Sequence, residues 1–322
     1  MGPPAGDWLS ERGIGETRLA RVERGEITDA RIERAGELVA GTVVEARLVR
    51  KQDGRGLAEM NGTPLLVEPW PRGRTEGETV ALIIARQVIP ERGRLRDAKA
   101  RMPHAAAAAA EGPERIDARP GDLSEHGWEE LIEEARSGVV AFEGGLLSIV
   151  PTPAGTTIDI DGSLPPADLA RRGAAAAARA IRRLDIGGSI LIDLPSLEGK
   201  AERQSAAAAF DDAFDSAAAG PFERTGVNGF GLLQVVRARR RPSLIERVQN
   251  QSLETGALDL LRRAERAVPC TKLELSAGVR IADWLEGQPA LLSLLARRTG
   301  GRVTLKAAGN DPLWWGDVHA GP

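Results

Sequence analysis

Thr156-Thr157-Ile158-Asp159-Ile160-Asp161-Gly162 alternates apolar and polar side chains, the pattern of a strand with two unlike faces. Ile158 and Ile160 take one face, Asp159 and Asp161 the other. An alanine- and arginine-rich stretch from about Pro165 to Leu184 follows and reads as a helix. Beyond it, Gly187-Gly188-Ser189-Ile190-Leu191-Ile192-Asp193-Leu194-Pro195 is an apolar run with a carboxylate near its end. Strand, helix and buried strand make a βαβ unit, whose right-handed crossover sets two parallel strands side by side. Ligands of open α/β sheets bind at the carboxyl ends of strands, so Asp159, Asp161 and Asp193 are expected to converge at one edge. Converging carboxylates repel unless a hard cation or a shared proton compensates.

These two strands, together with Gly229-Phe230-Gly231-Leu232-Leu233-Gln234-Val235 and Arg237-Ala238-Arg239-Arg240-Arg241-Pro242-Ser243-Leu244, resemble in order and spacing the catalytic core of the ribonuclease E/G family. The resemblance implies endonucleolytic cleavage of single-stranded RNA, with Asp159 and Asp193 as the two aspartates that hold Mg²⁺. Asp161 falls where the family typically has an asparagine that orients the first aspartate. The fold implied is a mixed α+β and α/β multidomain chain: an inserted OB-fold β-barrel, a DNase I-like mixed-sheet catalytic domain and a small α/β C-terminal domain.

A chain of 322 residues accommodates two or three modest domains. The net charge of −3 conceals a local excess of arginine and does not by itself announce a polyanionic partner. A single cysteine, Cys270, excludes an internal disulfide framework and any cysteine-cluster zinc site. No basic-then-apolar leader opens the sequence, and no apolar run approaches the roughly 20 residues needed to span a bilayer. A cytoplasmic protein with no membrane partner is expected.

The opening stretch, 1–35, carries a hairpin between Thr17 and Glu33 that turns at Arg24-Gly25-Glu26 and resembles the RNase H-like piece of the family scaffold. Residues 36–99 alternate short strands with Gly and Pro turns, including Gly41–Val49, Gly56–Met60, Thr63–Val67 and Glu78–Arg86. Such spacing suits a small barrel of the OB type. OB-folds commonly hold single strands by stacking bases on aromatics, yet Trp70 is the only aromatic between Gly41 and Arg86. Arg92, Arg94 and Arg96 follow the last of these strands as candidate phosphate contacts, with a solvated charged face as the plain reading.

Residues 100–125, with Ala105–Ala110, Gly112-Pro113 and Pro120-Gly121, read as a linker or short helix. They leave no room for the family's domain that senses a 5′-monophosphate. Residues 126–247 form the expected catalytic domain, entered through a helix capped near Ser124 and a hairpin, Val139–Val150, that turns at Gly144-Gly145. A helix from Gly199 to Ala219 places Lys200 and Arg203 just beyond Asp193; its acids Asp211, Asp212 and Asp215 read as a wet face. Phe222–Val227 and Phe230–Val236 pair around Asn228-Gly229. Arg237, Arg239, Arg240 and Arg241 extend the second of these strands and suit a partner whose phosphates need neutralising.

Where the family carries a Cys-Pro-x-Cys zinc link between subunits, this chain reads Ile245–Gln251 without cysteine. No zinc is expected, and the chain is a monomer or a zinc-independent oligomer. Residues 248–322 read as helix 253–267, strand 272–275, helices 278–286 and 288–298 and strand 302–306, with Cys270 as a small buried hydrophobe and Trp314-Trp315 either docking the tail, the better reading, or stacking a base. His104, His126 and His319 are too scattered to form a set.

The sequence therefore points to an endoribonuclease with Asp159, Asp193 and Asp161 as catalytic residues, and with Lys200, Arg203, Arg237, Arg239, Arg240, Arg94 and Arg96 as RNA contacts. Mg²⁺ on Asp159 and Asp193 would activate water. A metal-free alternative uses two carboxylates with separated pKa values, one as base on a 2′-hydroxyl and one as acid. A non-catalytic RNA-binding protein and an interaction scaffold are the remaining classes.

Overall fold

A computed structural model describes residues 8–103, 115–214, 220–267, 270–309, 312 and 315–321. The expected alanine linker with His104, the end of the Gly199–Ala219 helix with Asp215, and Trp314 lie outside the described residues. The chain is mixed α+β and divides into two compact units: Met1–Ala35 with Arg115–Glu133 and Arg247–Pro322, and Gly36–Glu114 with Glu134–Glu246.

In chain order, β1 (Trp8–Arg12), β2 (Glu16–Glu23) and β3 (Glu26–Arg34) form an antiparallel set, with the anticipated turn between β2 and β3. Strands β4 (Val43–Gln52), β5 (Arg55–Met60), β6 (Thr63–Val67), β7 (Thr79–Arg86) and β10 (Ala98–Arg101) close a five-stranded barrel in the order β10-β6-β5-β4-β7. Its interior is largely aliphatic, with Leu48, Leu65, Val67, Leu82 and Ile84 buried alongside Trp70. A two-stranded ribbon, β8 (Ile89–Glu91) and β9 (Arg94–Arg96), sits between β7 and β10 in sequence. Then β11 (Arg115–Asp117) returns to pair in parallel with β1.

After helix α1 (Trp128–Ser137) comes the sheet that carries the acids, built from β12 (Val139–Phe142), β13 (Gly145–Thr152), β14 (Gly155–Gly162), β15 (Gly188–Asp193), β16 (Phe222–Arg224) and β17 (Leu232–Arg237). Its order is β12-β13-β14-β15-β17-β16, and β14 and β15 are parallel neighbours, as a βαβ unit requires. The crossover is α2 (Pro166–Arg183), on which α3 (Lys200–Ala213) packs. Small side chains let α2 lie close: Ala170, Ala174, Ala177 and Ala178 are buried, and so are Ile158, Ile160, Ile190 and Ile192 of the strands. The tightest approach is at Gly173, where a Cβ would stand 2.4 Å from Ile160 Cγ2.

The remaining elements are α4 (Leu244–Asn250), α5 (Ser252–Glu265), β18 (Lys272–Ala277), α6 (Val279–Glu286), α7 (Pro289–Thr299), β19 (Arg302–Ala307) and β20 (Gly316–Gly321). Strand β20 has no apolar alternation and was not foreseen; it is fixed by backbone pairing with β18. Ile14 joins the apolar cluster of α5, β18, α6 and α7, and Cys270 is buried there. This unit also holds buried ion pairs. Arg18 donates to Glu16 at 2.9 Å and to Asp259 at 3.0 Å. Burial alone depresses the Arg18 guanidinium, but the Glu16 and Asp259 charges overcome this and raise it above its ordinary value. No helix among the described residues is long and apolar enough to cross a membrane.

Overpacking at the α2–β14 contact makes Gly173→Ala cost about 1–3 kcal/mol in urea unfolding, whereas Arg179→Ala on the exposed side of α2 stays within about 0.5 kcal/mol. Arg18→Leu leaves the buried Glu16 carboxylate unpaired and lowers unfolding free energy by about 3–5 kcal/mol; a loss below about 1 kcal/mol would refute that role.

Candidate functional site

Alternation along β14 and β15 decides where the acids point. Because Ile158, Ile160, Ile190 and Ile192 are buried under α2, Asp159, Asp161 and Asp193 emerge on the opposite, solvent-facing side of the sheet. The parallel register pairs Asp159 directly with Asp193. Residues so paired share a face, and neighbouring strands lie about 4.8 Å apart, so two carboxylates from distant parts of the chain become neighbours. Across the other strands, Ser148 of β13 stands opposite Asp159 and Leu232 of β17 opposite Asp193.

The electrostatics follow from this crowding. Burial pushes the Asp159 carboxyl above the usual aspartate range, and the charges of Asp161 and Asp193 push it the same way. The Ile160 backbone amide pulls it partly back, and a side-chain hydrogen bond with Asp161 favours retaining a proton. Among the described residues no group of three or more His, Cys, Asp or Glu forms a cation cage. The acid pair is instead an open set of hard oxygen donors. That chemistry fits Mg²⁺, which takes one or two carboxylates and keeps its other positions for water and phosphate oxygens.

The loop after β15 brings further groups to this end of the sheet. Lys200 opens α3, is exposed, and has no carboxylate partner among the described residues. Arg203 turns back, donating to the carbonyls of Leu197 at 3.0 Å and Glu198 at 3.4 Å, so it braces the loop behind Asp193. Phe230 was not foreseen as a site residue. It is 86% exposed on a turn pinned by Asn228, whose Oδ1 accepts from the amides of Phe230 and Leu232 at 2.9 and 3.0 Å. Leu194 N donates to Gly231 O at 3.1 Å, which ties this turn to the residue after Asp193. Gly231 has φ +83°, and a Cβ there would meet Leu194 O at 2.7 Å. The signal in the sequence was an aromatic between two glycines, a context without periodicity to explain an apolar ring. Leu146, Val150 and Val236 are exposed on the same sheet face.

The arginine run Arg237, Arg239 and Arg240, expected to extend β17, does so at the end of the strand away from the carboxylates. Antiparallel register sets Arg237 against Gly188 and Leu232 against Asp193. The run therefore begins at the far end of β15, about 17 Å along the strand from Asp193. Arg237 is buried, bonded to Asp185 at 3.3 Å and to Ile186 O at 3.1 Å. Arg241 pairs with Asp185 at 3.0 Å, and Arg239 pairs with Glu91 at 3.0 Å and with Glu246. Arg240 is exposed. Arg94 and Arg96 both reach Glu91, at 2.7 and 3.6 Å. Trp70 is buried, with its Nε1 donating to Arg74 O at 3.0 Å, and is barrel core rather than a stacking surface. His126 contacts Gly25 O and His319 lies beside Asp317; neither joins the acids.

Compared with known proteins, the chain matches no family model and no curated protein.

The raised Asp159 carboxyl fixes a sign. Its folded value lies above its unfolded one, so its stabilising contribution is fully present below the ordinary aspartate range and is lost as pH rises through the raised value. In EDTA at neutral pH, Asp159→Asn therefore raises Tm by about 1–2 °C, and the gap closes as pH falls toward ~4. Calorimetry against pH measures this; a gap that ignores pH contradicts the repulsion.

Proposed function

We propose that this chain is an endoribonuclease of the ribonuclease E/G type that cuts single-stranded RNA at Asp159 and Asp193. The observation that carries the reading is the side-by-side register of these two aspartates on adjacent parallel strands, on the solvent-facing side of the sheet. Three exposed acids crowded together without a salt-bridge partner among the described residues have no evident structural value, whereas an open carboxylate pair is a tool for phosphodiester chemistry.

In this reading Asp159 and Asp193 hold Mg²⁺. When bound, the ion neutralises charge on the phosphoryl group and lowers the pKa of water. Asp161 positions Asp159 through their hydrogen bond. Lys200, exposed at the start of α3, meets the phosphate entering the site, and Arg203 keeps the intervening loop in place. Phe230 offers an exposed ring on which a base next to the scissile bond stacks. The barrel's order, with its third and fifth strands parallel and its fourth closing on the first, supports an OB-fold. With Trp70 buried, that barrel engages RNA through charge and not through stacking. The acid-bearing sheet corresponds to the DNase I-like domain of the family. The chain acts in the cytoplasm on RNA that it trims or degrades.

A second reading is favoured by the crowding of Asp159, whose carboxyl is raised by burial and by the charges of Asp161 and Asp193. One carboxyl then serves as acid and a neighbouring carboxylate as base on the 2′-hydroxyl.

Incubation of single-stranded RNA with wild type, Asp159→Asn and Asp193→Asn, with and without EDTA, tests both. Each substitution lowers the cleavage rate by about 10²-fold or more. Loss of cleavage in EDTA with 5′-phosphate products supports the Mg²⁺ route. Persistence in EDTA with 2′,3′-cyclic phosphate ends selects the acid–base route. Cleavage untouched by Asp193→Asn sinks the nuclease assignment.

A further inference from the structure

We propose that the cleft between strands β7 and β10 of the barrel and the arginine run after β17 is an anchoring site for the phosphate backbone of single-stranded RNA, remote from the acid pair. The cleft measures about 600 Å³, within the range of ligand-binding clefts. Six cations line it, Arg86, Lys99, Arg101, Arg239, Arg240 and Arg241, against a single carboxylate, Glu68. Three of the six are spoken for: Lys99 by Glu68 at 2.8 Å, Arg239 by Glu91 and Glu246, and Arg241 by Asp185.

Arg86, Arg101 and Arg240 have no carboxylate partner among the described residues. Arg86 donates to Asp97 O at 2.9 Å, yet its Nε is buried without a hydrogen-bond partner. Burial and the charges of Arg96 and Arg239 bring its guanidinium below the ordinary value, and the opposing charges of Glu91 and Asp97 only partly offset them. Among the described residues Arg101 reaches only Met102 O, at 3.5 Å. The chain holds these repelling cations together by backbone pairing: Lys99 stands against Arg86 in the barrel, and Gln87 N donates to Arg240 O at 2.8 Å.

Several unpaired guanidinium groups in one groove ask for several phosphates, and the aliphatic remainder, Ile83, Ile84 and Ala238, offers no ring for a base. A strand of any sequence is therefore gripped by its backbone. Since the run starts about 17 Å from Asp193 along the strand, the grip acts several nucleotides from the acids, and only substrates long enough to reach both gain from it. The role in substrate length rests on the nuclease reading above; the binding itself does not.

The test uses the full chain in EDTA with fluorescein-labelled U20 and U5, read by anisotropy against salt, beside Arg86→Gln/Arg101→Gln/Arg240→Gln. The triple variant is expected to bind U20 about 10–100-fold more weakly at low salt, with the slope of log K against log salt reduced by about 2, and to bind U5 more weakly as well. Circular dichroism and Tm matching wild type establish that it is folded. U20 affinity and slope equal to wild type overturn the proposal. So does polyglutamate that displaces U20 as effectively as unlabelled U20, since the groove would then take an acidic protein segment. If Asp193→Asn leaves cleavage intact while the triple variant loses U20, the nuclease reading fails and the anchoring site stands.

Discussion

The parallel pairing of β14 with β15 is the constraint on which the site depends. A βαβ crossover of one hand brings the strands together, and α2 can close that crossover only by lying almost on the sheet. Alanines along its inner side and Gly173 against Ile160 permit this approach. With the isoleucines committed to α2, the aspartates have no choice of face. The crowding of three carboxylates is thus imposed by apolar packing below them, and it adds to burial in raising the Asp159 carboxyl.

Charge is organised in two ways in the same unit. Near Gly188, guanidinium groups are consumed in structure: Arg237 and Arg241 share Asp185, while Arg239 bridges Glu91 of the β8–β9 ribbon to Glu246. These partly buried pairs fix strand ends and ribbon against one another, and removing either partner would leave an uncompensated charge. The neighbouring Arg86, Arg101 and Arg240 are left over from that pairing and line an open cleft. At the other end of β15 the excess is negative. A sheet with carboxylates at one end and surplus cations beyond the other is polarised along its strands.

Much of this was legible from residue order. The β14–α2–β15 unit, the β2–β3 and β12–β13 hairpins, four of the five barrel strands and the helices after residue 252 follow from periodicity and glycine turns; β10, at the edge of the expected linker, does not. The acid pair was legible too, because each aspartate closes an alternating or apolar run whose face is fixed locally. Strand β20 escaped because its pairing with β18 is made by backbone groups, which leave no side-chain pattern. Phe230 escaped because an isolated aromatic between glycines belongs to no period. Trp70, the lone aromatic the sequence offered in this region, is taken into the barrel interior, where its ring comes within 2.4 Å of the would-be Cβ of Gly56.

Sequence alone determined which side of its strand each aspartate occupies, because a two-residue period is a property of neighbours in the chain. Only the tertiary structure decided what those side chains meet. The antiparallel register of β17 carried the arginine run to the far end of β15, and long-range pairing with Glu91, Asp185 and Glu246 chose which arginines became struts and which stayed open. Register and ion-pair partners are relations between distant segments, and charge counted along a strand holds no record of them.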